Sequence, residues 1–443
     1  MQLYEMEFSE LVKGCDDCPC GRAHTSGLKY GKVGRGAVEL IAQKTAQMNI
    51  TRACIVADEN TYAAAGHRVK QLLEGGGIGC DLCILPIEKG MERPEPDEFT
   101  VGHALMELSC HANGIIGVGG GVVNDVSKVL ATGARLPYIY IPTAPSMDGY
   151  TSDSASMIHQ GLKVSLPCKG PDVLLCDTEI LALAPKKLLL SGIGDMAAKL
   201  VSVCEWRISA LINGEYYCET VAKMMRKYCR VAFLYAKDAV KGSPEAIGMI
   251  AEGLASVGMA MSFAKTTRPA SGVEHYYSHL WDMRALENGR QSELHGLQVG
   301  VGTLLALEKY EKLKNIVPNR EKALSFAARF DISAWERDVR DYFGHSAEKI
   351  IEIEHREGKY DREKHGKRLD RIIENWDGIL QIINEELVPA SFVRDLFCEI
   401  GHPVTPNDVG ITFPQAERDF LHTGDIRDKY ILSRLLWDLG ELY

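Results

Sequence analysis

The sequence predicts an α/β protein of two parts. A nucleotide-binding α/β domain with a parallel sheet occupies residues 1–180, an all-helical metal- and substrate-binding domain occupies residues 181–443, and a cleft lies between them. Three observations predict this. A chain of 443 residues is long enough for two domains, each with its own core. Up to about Ile180, short apolar runs alternate with amphipathic stretches, as in strands joined by helices over a parallel sheet. From Pro185 onward, apolar residues recur every three and four positions, which is a helical period.

Taken in order, Ala53–Asp58 and Cys80–Ile87 read as strands. Gly114–Val118 is a strand running into three glycines, and Pro137–Ile141 one running into Pro-Thr-Ala-Pro. Ala37–Met48, Phe99–Cys110 and Val122–Thr132 are the helical patterns between them. Met157–Leu166 reads as a hairpin turning at Gln160-Gly161, and Val173–Cys176 is one more strand. Beyond the boundary, helices are expected over Lys187–Ile212, Tyr216–Asp238, Ser243–Ala264, Val273–Leu286 and Glu293–Leu313. The charge-rich Glu336–Arg371 and the stretch Arg427–Leu436 are also expected to be helical. No internal repeat or low-complexity linker interrupts the chain.

Composition narrows the function. A formal charge of -10 with no basic stretch argues against a nucleic-acid surface, where Lys and Arg must neutralise phosphates. No apolar run approaches the roughly 20 residues that span a bilayer. The acidic start MQLYEMEFSELVKG lacks the basic-then-apolar order of a signal peptide. Thirteen scattered cysteines, an odd number in a large chain, read as reduced thiols of a cytoplasmic protein.

Gly119, Gly120 and Gly121 sit between a strand and a helix, where side-chain-free residues let a diphosphate approach the backbone and the helix N-terminus. No glycine completes G-x-G-x-x-G after Gly117 and Gly119, so this is not the Rossmann fingerprint; the alternative is a tight strand-to-helix turn, against which the third glycine counts, because a turn needs only one or two. Asp58, ending an early strand, stands where an acid takes a ribose hydroxyl, which favours NAD over NADP; its alternative is a plain helix cap. In the helical half, Asp195 lies among apolar residues and His275 and His279 share one helix face. His295 follows about one helix and a turn later. A divalent cation held by Asp195, His275 and His295 would satisfy the buried acid and leave positions open; such a donor set suits zinc, iron or nickel.

These motifs together resemble the iron-containing alcohol dehydrogenase, glycerol dehydrogenase and dehydroquinate synthase superfamily: Gly119-Gly-Gly-x3-Asp125-x2-Lys128, Gly194-Asp195-x3-Lys199, His275-x3-His279 and His295-Gly. Pro142-Thr-Ala-Pro-Ser-Met-Asp148-Gly-Tyr and Arg268-Pro-Ala-Ser-Gly-Val-Glu-His275 are similar to one branch, the sn-glycerol-1-phosphate dehydrogenases. The resemblance implies NAD or NADP over the glycine run, with Asp125, Ser127, Lys128, Thr143 and Ser146 on the cofactor side. It implies Asp195, His275 and His295 as ligands of one divalent ion. His279 becomes a neighbour that relays a proton, and Asp148 an acid reaching the polyol hydroxyls.

A phosphorylated small-molecule substrate needs cations, and Arg268, Lys199 and Lys163 are the nearest by motif, Arg268 first because its fork suits a phosphate. The expected reaction is reversible NAD(P)H-linked reduction of dihydroxyacetone phosphate to sn-glycerol-1-phosphate, by a homo-oligomer. The alternatives are a glycerol dehydrogenase acting on free polyols, a dehydroquinate synthase-like enzyme and, more remotely, a non-catalytic metal- or nucleotide-binding regulator. Two segments stand outside the resemblance. Cys15, Cys18, Cys20 and His24 form a tight set of soft donors that either binds a structural zinc or makes a compact loop of reduced cysteines. The stretch 313–367 is longer and more charged than the core needs.

Overall fold

A computed structural model describes residues 2–88 and 90–442. Six strands form one parallel sheet: β1 (Tyr30–Gly34), β2 (Arg52–Ala57), β3 (Gly79–Ile84), β4 (Gly114–Gly119), β5 (Tyr138–Pro142) and β8 (Val173–Asp177), in the order β1-β8-β5-β4-β2-β3. The central strands β4, β5 and β8 are buried at every position, as expected of a parallel sheet covered on both faces. Between β5 and β8 the chain makes the antiparallel hairpin β6 (Ser154–His159) and β7 (Leu162–Pro167). Its turn residues Gln160 and Gly161 both have positive φ, 52° and 76°, the backbone of a two-residue type I′ connection.

Strand β1 has no counterpart in the apolar pattern. Its sequence, Tyr-Gly-Lys-Val-Gly, contains two glycines, and it is an edge strand paired only with β8. The single helix expected over Lys187–Ile212 is two, Lys186–Ala197 and Lys199–Asn213, because the apolar spacing reads straight through a one-residue break at Ala198.

No strand occurs after Asp177 among the described residues, so the second half is helical throughout. One of its helices, Pro244–Ala264, is long and apolar enough to cross a bilayer by length and composition, which the search for apolar runs did not anticipate. Its most apolar window is 89 % buried within the protein, as in a core helix. Of the stretch Arg427–Leu436, expected to be helical, residues 427–431 are irregular and lead into the short helix Leu432–Asp438. The described part of the N-terminal segment packs onto the body through Leu3, Phe8 and Leu11, all buried.

Candidate active site

The C-terminal ends of β2, β4 and β5 face the helical half across a cavity of about 840 Å³ lined from both sides. That size falls within the roughly 300–1,000 Å³ usual for small-molecule sites, and the ends of parallel strands are where such sites form.

On the sheet side, β4 passes through Gly120 directly into the helix Gly121–Ala134. A Cβ on Gly119 would lie 2.5 Å from Val123, so this glycine permits tight packing of strand against helix behind the cavity. Gly120 and Gly121 line the cavity, and a Cβ on Gly120 would meet nothing within 4 Å. The backbone there is open to a ligand at the start of a fourteen-residue helix. Asp58 also lines the cavity while its Oδ1 accepts the Thr61 N–H at 2.8 Å, so it both caps a turn and faces the space. Asp125, Thr143 and Ser146 line the same space, and burial pushes the Asp125 carboxyl up to about 6 against the pull of Lys128.

On the helical side, Asp195, His275 and His295 each offer one ligand atom, all lying within 4.8 Å of one another. The helices carrying Asp195 and His295, Lys186–Ala197 and His295–Leu313, touch backbone to backbone. A Cβ on Gly194 would lie 2.2 Å from the Gly296 carbonyl oxygen, and one on Gly296 would lie 1.8 Å from that of Ser191. Only glycine at both positions allows this crossing. Ser191 fastens it, its Oγ donating to the Ser146 carbonyl at 2.9 Å and accepting the Gly296 N–H at 3.1 Å.

Hydrogen bonds preset both imidazoles. Glu274 Oε1 lies 2.8 Å from His275 Nδ1, so a proton at Nδ1 leaves the Nε2 lone pair facing Asp195 Oδ1 at 3.4 Å. Ser278 Oγ donates its one proton to Gln298 Oε1 at 2.7 Å, so it accepts from His295 Nδ1–H at 2.9 Å and leaves His295 Nε2 as a ligand atom. Such outer partners fix tautomer and orientation at metal sites.

Asp195 has no exposure. Its Oδ2 accepts the Asp148 N–H at 2.9 Å, and its Oδ1 accepts from Lys199 Nζ at 3.2 Å. Burial opposes its charge, but Lys199 and His275 hold it well below the usual carboxylate range. Lys199 Nζ also donates to Asp148 Oδ2 at 2.5 Å and to the Ala270 carbonyl at 3.1 Å. Burial and the adjacent Asp195 charge raise the Asp148 carboxyl. Burial also lowers His295, to about 4. Two carboxylates, Asp148 and Asp195, thus share one ammonium, leaving negative charge that a divalent cation would neutralise. The donor set fits such an ion.

His279 lines the cavity, and its buried Nδ1 has no hydrogen-bond partner among the described residues. Burial, with Arg427 and Lys163 nearby, keeps its imidazole neutral well below the ordinary histidine range. Lys163 lines the cavity 2.7 Å from Asp282 Oδ2.

Four expected contacts are not brought to the cavity. Arg268 has no exposure; its guanidinium donates to Glu215 and to the carbonyls of Glu205 and Tyr430, so it is a structural tie inside the helical half. Lys199 lies beneath Asp148 and Asp195 rather than facing substrate space. Lys128 is sealed off, donating to the Gly149 carbonyl, Ser152 Oγ and the Ser154 carbonyl, where it pins the loop after Asp148. Ser127 is fully buried behind Gly117. Conversely, Arg427 lines the cavity and was missed, because its irregular loop reaches the site only through the tertiary fold. Glu274 and Ser278 were legible only as neighbours of the histidines.

Residues 32–185 match the iron-containing alcohol dehydrogenase family. A glycerol-1-phosphate dehydrogenase [NAD(P)+] of Halalkalibacterium halodurans is 34 % identical over 303 residues, 68 % of this chain and 76 % of that protein. One of Methanosarcina mazei is 35 % identical over 279 residues, 62 % of this chain and 74 % of its own length. Among solved structures, glycerol dehydrogenase from Schizosaccharomyces pombe aligns with a TM-score of 0.61 at 16 % identity, covering 95 % of this chain and 90 % of that one, a likeness of fold.

Two outcomes follow from the crossing and its supports. Gly296→Ala should force the two helices apart and strip metal from the purified chain, as measured by elemental analysis after dialysis. Gly366→Ala, at an open helical position, should keep metal and gain about 0.5–1 kcal/mol of stability. Ser278→Ala, which frees His295 to rotate, should weaken metal affinity about 10–100-fold in competition with a chelating dye.

Proposed function

Since this chain belongs to the glycerol-1-phosphate dehydrogenase family of the iron-containing alcohol dehydrogenases, we propose that it reversibly reduces dihydroxyacetone phosphate to sn-glycerol-1-phosphate with NAD(P)H. The observation that carries this reading is the Asp195–His275–His295 donor set facing the Gly120–Gly121 turn across one cavity.

Asp195, His275 and His295 would hold a divalent ion (zinc, nickel or iron) that, when bound, would supply Lewis-acid polarisation of a ketone, with hydride from a bound nicotinamide. The chain's own residues do the remainder. Gly120 and Gly121 admit the diphosphate at the helix N-terminus. Thr143, Ser146 and Asp125 flank it, and Asp58 takes the ribose hydroxyls and repels a 2′-phosphate, which favours NAD. Asp148, held by Lys199, receives the substrate hydroxyl. His279, neutral and with a free Nδ1, moves the proton at the C2 oxygen of the substrate. Lys163 and Arg427, two of the three cations lining the cavity with Arg93, take the phosphate, and Arg427 has no ion pair among the described residues to give up, whereas Arg93 donates to the Ser292 carbonyl. The thirteen free cysteines support a reducing, cytoplasmic setting, and exposed Phe99, Leu105 and Met106 support self-association.

Purified, metal-loaded enzyme with NADH should turn over dihydroxyacetone phosphate in preference to dihydroxyacetone. Preference for the free ketone would make it a glycerol dehydrogenase, phosphate release from a sugar-acid phosphate would indicate dehydroquinate synthase-like chemistry, and inactivity on a ketone panel would favour a regulator. Arg427→Ala should raise KM for the phosphorylated ketone about 10–100-fold, the loss of one charge-assisted hydrogen bond, and leave dihydroxyacetone kinetics nearly unchanged. Arg268→Ala should instead lower thermal stability, leaving KM of the folded fraction unaltered.

A further inference from the structure

We propose that Cys18, Cys20, His24 and Cys218 form a closed structural zinc site that clamps the N-terminal segment onto the helical half. It lies apart from the catalytic donor set and shares no residue with it. The ligand atoms of these four side chains all lie within 4.8 Å of one another, although Cys218 is two hundred positions from Cys18.

The spacing has the dimensions of a tetrahedral zinc shell. Zn–S bonds of about 2.3 Å and Zn–N bonds of about 2.0–2.1 Å put neighbouring sulfurs about 3.8 Å apart and sulfur and nitrogen about 3.6 Å apart. Cys18 Sγ and Cys218 Sγ are 3.7 Å apart, and His24 Nε2 is 3.3 Å from Cys20 Sγ and 3.4 Å from Cys218 Sγ. A disulfide needs about 2.05 Å, and all thirteen cysteines are free thiols.

The surroundings are those of a ligand shell. His24 is fully buried, and its Nδ1 lies 2.9 Å from the Phe263 carbonyl oxygen. A carbonyl only accepts, so Nδ1 carries the proton and the Nε2 lone pair points among the three sulfurs. The Tyr216 hydroxyl lies 3.5 Å from Cys20 Sγ, positioned to donate to a thiolate. Cys218 immediately precedes the helix Glu219–Val240, whose positive end favours a thiolate there.

Cys15, the fourth donor expected from sequence, has another task. Its backbone pairs with His24 in both directions, N–H to carbonyl at 2.8 and 2.7 Å, closing the ligand loop into a ring. Gly14 opens that ring at φ +69°, and a Cβ there would lie 2.1 Å from the His24 carbonyl oxygen. The loop is thus shaped by Gly14 and Cys15, three ligands come from it, and Cys218 completes the set from across the molecule. With four protein ligands and no open position, such a site holds structure and does no chemistry.

The full chain should carry two tightly held metal equivalents, against one in Cys18→Ser/Cys218→Ser and one in His275→Ala. Loaded with cobalt, the wild type and His275→Ala should show thiolate-to-cobalt charge-transfer absorption that the double cysteine variant lacks. In case that variant misfolds, the wild type decides alone: alkylation mapped by mass spectrometry should leave Cys18, Cys20 and Cys218 protected in the zinc-loaded chain and reactive after chelation, with a fall in Tm. Absence of the charge-transfer band from wild type, its persistence in a folded double variant, or equal alkylation with and without zinc would overturn the proposal. None of these readouts depends on turnover, so they separate it from the dehydrogenase reading.

Discussion

Asp195 is a carboxylate with no access to water, and the arrangement of the site follows from the need to keep it charged. An isolated ion in such a place costs several kcal/mol, and burial alone would push the group to its neutral form. Here the compensation is distributed. Lys199 supplies a full charge from one turn along, the Asp148 amide supplies a hydrogen bond, and His275 presents its Nε2 edge. Lys199 is shared with Asp148, so the pair of acids remains under-neutralised and attractive to a cation. The charge balance around Asp195 and the attraction of this cluster for a cation therefore have one electrostatic cause.

That electrostatic arrangement depends on a steric one. Asp195 and His295 belong to helices far apart in sequence that meet backbone to backbone beside the site. The Gly194–Gly296 contact removes two Cβ atoms where the backbones meet, and Ser191 ties the crossing to the loop carrying Ser146 and Asp148. The helical half is thereby fixed against the ends of β4 and β5, where the glycine turn opens. The placement of the Asp195–His275–His295 cluster opposite the glycine turn thus rests on backbone contact at Gly194 and Gly296.

These causes explain what could be read in advance. The sheet was legible because β2, β4, β5 and β8 are buried runs of apolar residues, whereas β1, an edge strand with two glycines, carries no such signature. The cluster of Asp195, His275 and His295 was legible because such residue types are costly to bury without a partner. Arg268 and Lys128 misled for the complementary reason. Sequence shows that a cation is near a motif but not whether its charge is spent inside the protein, on carbonyls and carboxylates, before any ligand arrives. Cys218 was invisible as a zinc donor since nothing in its local sequence links it to residues 18–24. Only the path of the helix it precedes brings it there.

The charge-rich stretch beyond residue 313 finds its place by the same reasoning. Lys359, nearly fully buried, donates to the carbonyls of Gly424, Asp425 and Arg427 at 3.0, 3.3 and 2.7 Å. Tyr360 and Trp335 from the same stretch bond the Asp425 carboxylate. Three carbonyls of one irregular loop thus converge on a single ammonium, and that loop presents Arg427 to the cavity. An irregular segment has no ladder of its own to hold its backbone polar groups, so it must be satisfied from outside. The helices of this stretch supply those partners, and the cost of burying Lys359, whose amine is pushed down to about 8, is offset by a loop held firmly enough to aim a guanidinium. A stretch distant from the motifs in sequence is, in space, the support of one wall of the cavity.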